Sequence, residues 1–195
     1  MKQLISILAA SCFLLNAVAQ SSAQKEKIHF SSTNTIGLLV GGSGEGAAVQ
    51  SINGIRYKNW NFGIGTGIDW YGVRSIPLVA DVRKAFTNKK YKPFVYANGG
   101  INFAWDNGYG YGYSIGFGST YTDIKYDNAF CGEFGAGYKV SFKNQTAFVM
   151  SAGFSYKEIK VLQTNTNTGI PGFAKSTSSS EYYYRRIALR VGFCF

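Results

Sequence analysis

The sequence predicts an all-β protein, an eight-stranded antiparallel up-and-down transmembrane β-barrel, and three observations carry that expectation. Apolar residues alternate with small or charged ones through nearly all of the chain after residue 19. That is the side-chain spacing of strands whose two faces meet different surroundings. Most segments between chain reversals reach the roughly 9–11 residues that a tilted strand needs to cross a bilayer. The connections alternate too: short polar turns on one side, and on the other a set that contains two long loops, as membrane-spanning barrels arrange them.

The N-terminus reads as a targeting segment. Met1 and Lys2 precede an apolar run from Leu4 to Leu15, then Ala17-Val18-Ala19 and polar Gln20-Ser21-Ser22. This is the layout of a secretory signal peptide over 1–19, leaving 20–195 as one barrel domain. An uncleaved helical anchor would need about 20 apolar residues, more than this run supplies. A lipid anchor at Cys12 lacks the expected Leu three residues earlier and would leave Phe13-Leu14-Leu15 on the mature end. Past the cleavage point only Cys131 and Cys194 remain, too few for a disulfide-stapled scaffold.

Composition narrows the class further. There are 24 Gly, 14 Tyr, 3 Pro and one His, with 16% aromatics and a net charge of +10. Gly and Tyr without low complexity suit strands that cross a crowded lumen and end at a lipid–water boundary. A basic soluble protein invites a nucleic-acid reading, but export and the lack of a basic run or recognition helix exclude it. Anionic lipid head groups are the expected partners instead.

In chain order the expected strands are Lys27–Gly41, Ala47–Lys58, Asn61–Tyr71, Ile76–Phe86, Pro93–Trp105, Asn128–Phe142, Thr146–Lys160 and Tyr182–Phe195. The last is the clearest: Ile187, Leu189, Val191, Phe193 and Phe195 share one face, with Arg186, Ala188, Arg190, Gly192 and Cys194 on the other. A soluble sandwich could show that alternation, but it has no reason to sort its loops by parity. Aromatics also gather at both ends of the apolar faces. Trp70, Trp105, Phe130, Tyr156 and Tyr183 lie toward the loops, and Trp60, Phe62, Phe142, Phe148, Phe193 and Phe195 toward the turns. Two such girdles are what interfaces select. The long connections, Asp106–Asp127 and Val161–Glu181, are expected to be irregular loops outside the bilayer.

The opposite face carries Arg56, Asp69, Asp81, Arg83, Glu133, Lys139, Lys157, Arg186 and Arg190. A charge at mid-bilayer costs about 2–4 kcal/mol, so these residues are expected inside, as a salt-bridged filling of a narrow lumen. Gly63, Gly65, Gly67, Gly135 and Gly137 would make room for the long cations. No catalytic, cofactor or metal constellation emerges. His29 is expected at the turn end, away from any outer-rim site, and Ser119, Thr120, Tyr121 and Asp123 offer a hydroxyl and an acid without a His. The glycines of Gly41–Gly46 lack the Lys-Ser/Thr and following helix of a phosphate loop, and a tight hairpin explains them better. Cys131 and Cys194 fall at opposite ends of the barrel, too far apart for a disulfide.

Gln50-Ser51-Ile52-Asn53-Gly54-Ile55-Arg56-Tyr57, Gly63–Tyr71, Ile76-Pro77-Leu78 with Asp81-Val82-Arg83, and Lys92–Gly100 together resemble the small outer-membrane β-barrel proteins common in Bacteroidetes. Val191, Phe193 and the terminal Phe195 resemble the C-terminal signal read by the barrel-assembly machinery. The resemblance spans roughly Lys27 to Phe195. It implies an outer-membrane location, membrane lipids and the assembly machinery as partners, and no reaction. The functional expectation is therefore a non-enzymatic barrel, porin-like in architecture, serving envelope structure or surface interaction. A lipid-modifying enzyme or a narrow ion pore in the same barrel are the alternatives, and the extracellular ligand is unknown.

Overall fold

The computed structural model describes residues 27–105, 109–112, 120–142, 146–167 and 174–195. Among the described residues ten strands form: β1 (His29–Gly41), β2 (Gly44–Tyr57), β3 (Trp60–Asp69), β4 (Ser75–Ala85), β5 (Tyr91–Ala104), β6 (Tyr109–Gly112), β7 (Thr120–Asp127), β8 (Ala129–Ser141), β9 (Ala147–Asn167) and β10 (Ala174–Cys194). Eight of them close a ring in the order β10-β1-β2-β3-β4-β5-β8-β9, sealed by the β9–β10 pairing, and every pairing is antiparallel. The all-β, eight-stranded antiparallel barrel read from the sequence is the fold observed.

Register fixes the tilt. Following paired residues round the ring leads from Gly41 through Arg186, Ser155, Glu133, Asn98, Asp81, Gly63 and Gly54 back to β1 at Ser31. One circuit thus descends ten residues, from 41 to 31, so the strands lie strongly oblique to the axis. That shear leaves an interior just wide enough for side chains. Terminal Phe195 completes the seam, its N–H donating to Ser32 O (2.9 Å) and its carbonyl accepting from Ser32 N (2.7 Å).

Short turns join β2 to β3 and β4 to β5, where Lys58 sits in the left-handed region at φ 55°. At the other end β1 reverses directly into β2, with Gly41 opposite Gly44 and Gly44 at φ 108°. The glycine-rich stretch there is a hairpin.

The two long connections depart from the sequence expectation. Much of each is strand. β9 and β10 run 21 residues each and stay paired from Asn167–Ala174 down to Ala147–Cys194. β7 pairs with the upper part of β9, Asp127 opposite Lys160, and β6 pairs with β7. Below, Cys131 lies opposite Lys157, so four steps along β7–β8 match three along β9, a β-bulge around Asn128. A four-stranded sheet, β6-β7-β9-β10, therefore continues the barrel wall beyond its loop end. Polar Thr, Ser and Asn hid this in the sequence, because a sheet with water on both faces has no apolar period to detect. Ser119 and residues 106–108, 113–119 and 168–173 lie outside the described residues.

The outward faces are apolar. Ile36, Leu38, Ile64, Ile101, Phe130, Phe134, Ile187, Leu189, Val191 and Phe193 are all exposed, Ile64 at 66% and Phe134 at 62%. Phe134 packs on Phe154 and Phe148 on Phe193 at 5.7 Å between centroids. Soluble monomers rarely show contiguous apolar surface beyond a few hundred Å², and this belt runs round the ring.

Candidate functional site: an ionic lumen

The inward positions carry the polar chemistry, and they sort into layers. At the loop end β3 stops at Asp69, and Tyr71, expected within the strand, turns inward instead and is 1% exposed. Its backbone N–H donates to Asp69 Oδ1 at 2.7 Å and its hydroxyl accepts from Ser43 N at 3.1 Å. Arg186 Nη1 meets Asp69 Oδ2 at 2.7 Å, Nη2 donates to Ser155 Oγ at 2.7 Å, and the guanidinium lies 5.1 Å from the Tyr71 ring centroid. Lys157, fully buried, stands 3.4 Å from Asp69 Oδ2 and donates to the carbonyls of Tyr71 (3.0 Å) and Val73 (2.7 Å). The lysine thus ties the β3–β4 connection across the mouth. Tyr184 packs edge-on against Tyr71 at 5.7 Å.

One layer lower, Arg190 grips Glu133 with a two-pronged contact, Nε–Oε1 at 2.9 Å and Nη2–Oε2 at 2.7 Å. The Tyr96 hydroxyl donates to Glu133 Oε1 at 2.8 Å. Planar guanidinium against carboxylate is the strong form of this bond. Below that, Arg83 Nε donates to Asp81 Oδ1 at 2.8 Å, with the guanidinium beside the rings of Phe94 and Tyr96. Each of the three lumen carboxylates therefore has its own arginine. The sequence placed these charges inside without assigning partners; the oblique register pairs Arg186 with Asp69, Arg190 with Glu133 and Arg83 with Asp81.

Arg56 and Lys139 belong to the turn end, with no acid beside them among the described residues. Lys139 Nζ donates to Cys194 Sγ. Lys92, not anticipated as a lumen residue, lines the same small cavity as Lys139, Arg83 and Cys194. Cys131 and Cys194 are both buried free thiols, near the loop end and the turn end respectively. Val191 and Phe193 face outward.

Two apolar clusters pack beside the ionic groups: Leu39, Ala48, Tyr71 and Ala188 toward the loop end, Phe94, Tyr96, Ala147, Val149 and Cys194 toward the turn end. The glycines open space differently than expected. A Cβ on Gly137 would strike Phe94, and on Gly63 or Gly65 it would strike Ile52, so these three make room for apolar groups. Room beside the cations comes from Gly37, where a Cβ would lie 2.8 Å from Arg190 Cγ, and Gly41, where it would lie 3.3 Å from Arg186 Cγ. Cavities between the lumen side chains measure about 30, 30 and 10 Å³, each room for at most one or two waters. Paired charges and rings fill the lumen from the Asp69 layer down to the Arg83 layer.

Outside the ring, on the extension, Lys160 lies opposite Glu181 and reaches it at 3.3 Å, while the Tyr183 hydroxyl donates to Glu181 at 2.6 Å. The two donors hold the Glu181 carboxyl below its ordinary pKa, and the carboxylate pushes Tyr183 up to about 12. Thr122 bonds Asn165 across β7 and β9 at 2.8 Å. Among the described residues no group of three or more His, Cys, Asp or Glu could hold a metal ion. Asp123, on β7, has no His in reach: His29 is at the turn end, opposite Arg56.

A closed eight-stranded antiparallel barrel with an apolar outer belt and a salt-bridged lumen is the class of protein these features define. No family model and no curated protein matches the chain. Among solved structures it is similar to the crystal structure of Neisserial surface protein A (NspA), with a TM-score of 0.50 and 13% identity over 86% of this chain and 95% of that one. It is also similar to the solid-state NMR structure of outer membrane protein AlkL in DMPC lipid bilayers, with a TM-score of 0.48 and 12% identity over 91% and 93%. The likeness is one of fold.

Proposed function

We propose that this chain is an exported outer-membrane barrel that performs no reaction and displays the β6-β7-β9-β10 sheet at the cell surface, for envelope structure or surface interaction. The observation that carries the reading is the inversion of polarity: apolar residues outward round the whole ring, paired charges inward. Only a hydrocarbon surround makes that arrangement favourable, because lipid tails accept the exposed Ile, Leu and Phe while the ions keep their partners. The signal peptide read over 1–19 supports export, and the C-terminal Val191, Phe193 and Phe195 fit delivery to the barrel-assembly machinery. The fold neighbour NspA is itself described as a surface protein. Lys84 lies 4.9 Å from the Trp60 ring centroid and Lys90 5.6 Å from that of Tyr91, as interface anchors do. The small lumen cavities argue against conduction, and the loop end lacks a nucleophile–base pair among the described residues.

The test is fractionation of the expressing cell, followed by planar-bilayer conductance and lipid mass spectrometry on refolded protein. Outer-membrane recovery with a mature N-terminus near Gln20, silent bilayers and unchanged lipids are expected. Recovery in the soluble periplasm would overturn the barrel's membrane role. Stable channels would establish a pore, and altered lipid an enzyme.

A further inference from the structure

The outer wall of the ring is not evenly convex. Across β8, β9, β10, β1 and β2, which are neighbours in that order, it carries an apolar trough of about 880 Å³, open on its outer side. The register builds its floor: Ala136 lies opposite Ala152, Ala152 opposite Leu189, Leu189 opposite Leu38, and Leu38 opposite Ala47. A second row, Tyr138, Met150, Val191, Ile36 and Val49, runs beside the first. The outward residues of β9 explain the depth. Read down the strand they are Phe154, Ala152, Met150 and Phe148, so a methyl group and an unbranched chain sit between two rings. Phe154 packs on Phe134 and Phe148 on Phe193, each pair at 5.7 Å, and the two pairs stand on either side of the floor.

The trough has a direction and a charged foot. Five strands about 4.8 Å apart make it roughly 19 Å long. Strands tilted by about 40° carry it through a rise of roughly 12 Å, close to half of a hydrocarbon core about 30 Å thick. It climbs from Tyr138 on β8, near the turn end, to Ala47 on β2, near the loop end. At the foot Tyr138 packs against Tyr91 at 6.4 Å, and Lys90 Nζ lies 5.6 Å from the Tyr91 ring centroid. The Lys90 carbonyl accepts from Ser141 N at 2.9 Å, which holds this exposed lysine beside the lower end of β8.

We propose that one acyl chain of an anionic phospholipid from the turn-side leaflet lies in this trough, with the lipid phosphate at Lys90. The inference rests on the membrane reading above and names one lipid that stays when its neighbours exchange. Bulk lipid meets a convex wall on one side only. A chain in the trough meets the alanine floor and both aromatic sides, and dispersion adds up contact by contact. Met150 adapts to a kinked or straight chain. Lys90 selects the head group, because its ammonium offers three donors to phosphate oxygens and is drawn to an anionic surface. Tyr91 and Tyr138 mark the interface where that head group sits. A second barrel is the poorer occupant, since a convex wall would rest on the aromatic sides and leave the floor uncovered.

The test takes the full mature barrel from nanodiscs of phosphatidylcholine with a minor share of phosphatidylglycerol into mild detergent for native mass spectrometry. One phosphatidylglycerol should stay with each barrel, in preference to phosphatidylcholine. Ala152→Leu fills the floor and should lower retention of either lipid about tenfold. Lys90→Gln should weaken phosphatidylglycerol alone, about tenfold, the loss of one charge-assisted bond. Ala80→Leu makes the same change at an exposed position of β4 outside the trough and should do neither. A heat-modifiable gel shift reads folding, and Ala136→Val probes the same floor if Ala152→Leu fails to refold. A parent barrel that does not enter bilayers overturns the membrane reading and this inference together. One that enters them and keeps no lipid overturns this inference alone. So do equal retention in Ala152→Leu and parent, equal weakening in Ala80→Leu, or a dimer that Ala152→Leu dissolves, which would give the trough to a second copy.

Discussion

Replacing Arg190 with Ala should cost the barrel about 3 kcal/mol of stability, and the number follows from what the side chain touches. Arg190 and Glu133 are 10% and 4% exposed, and the guanidinium makes both a 2.9 and a 2.7 Å contact to the carboxylate. Removing one member of a buried pair costs about 3–5 kcal/mol, because the other charge is left without compensation. Tyr96 keeps one bond to Glu133, and the adjoining 30 Å³ cavity admits water, so the low end applies. The double replacement Arg190→Ala with Glu133→Leu should recover most of the loss, since no buried charge remains. On the outer wall the rule inverts. Ile187→Ala should cost under about 1 kcal/mol, since lipid tails are as apolar as the side chain they replace. Ile187→Arg should cost about 2–4 kcal/mol near mid-bilayer. The assay is urea unfolding in liposomes followed by the heat-modifiable gel shift, with m unchanged across the set. An Arg190→Ala loss below about 1 kcal/mol, with Ile187→Arg silent, would mean the two faces are reversed and the polarity argument fails.

Three further outcomes follow from particular contacts. Backbone amides along the part of β10 beyond the barrel should exchange in alternation. Phe195 bonds to β1, so odd-numbered residues point that way and Lys175, Thr177, Ser179, Glu181 and Tyr183 face an edge with no partner among the described residues; they should exchange much faster than their even neighbours, and uniform protection would refute the free edge. Tyr183→Phe should raise the Glu181 pKa back toward the ordinary carboxylate range, read by carboxyl NMR. With Tyr183 and then Lys160 holding that pKa down, their contribution is present above the ordinary carboxylate value and lost as pH falls through the lowered one. Cys131 and Cys194, buried and free, should resist maleimide in the folded barrel and both react after unfolding; a cross-link between them would break the assigned register.

The barrel was legible because alternation is a one-dimensional signal. Ile187 to Phe195 states it outright, and each apolar face repeats it. Inwardness of the charges was equally legible, since Arg186 or Lys157 has nowhere else to point. What could not be read was which cation meets which anion. Partners in a barrel are set by the descent of ten residues per circuit, and that number belongs to the closed ring, not to any one strand. Arg190 reaches Glu133 across a β9 strand that lies between their own strands. Tyr71 escaped for a related reason: its parity matches the lumen face of β3, but it reads as the strand's aromatic end until the Asp69 carboxylate is seen catching its N–H.

The same descent explains why the lumen is closed at the loop end and cationic at the other. Asp69 ends β3 and Lys157 lies on the stretch of β9 where the wall begins to extend, so the loop end receives an acid, a lysine and an arginine together. The turn end receives Arg56 from β2, Lys92 from β5 and Lys139 from β8, while the nearest lumen acids, Asp81 on β4 and Glu133 on β8, sit higher and are already paired. Moving an acid down would test whether that asymmetry costs the fold stability. Asn88→Asp places a carboxylate in the wall of the turn-end cavity, where it neutralises one cation. If the crowding of Arg56 and Lys92 there is a cost to the fold, the variant should be more stable in urea than the parent. Unchanged or lower stability would show that the turn-end cations already have their charge compensated, and that the asymmetry between the two ends carries no energetic cost.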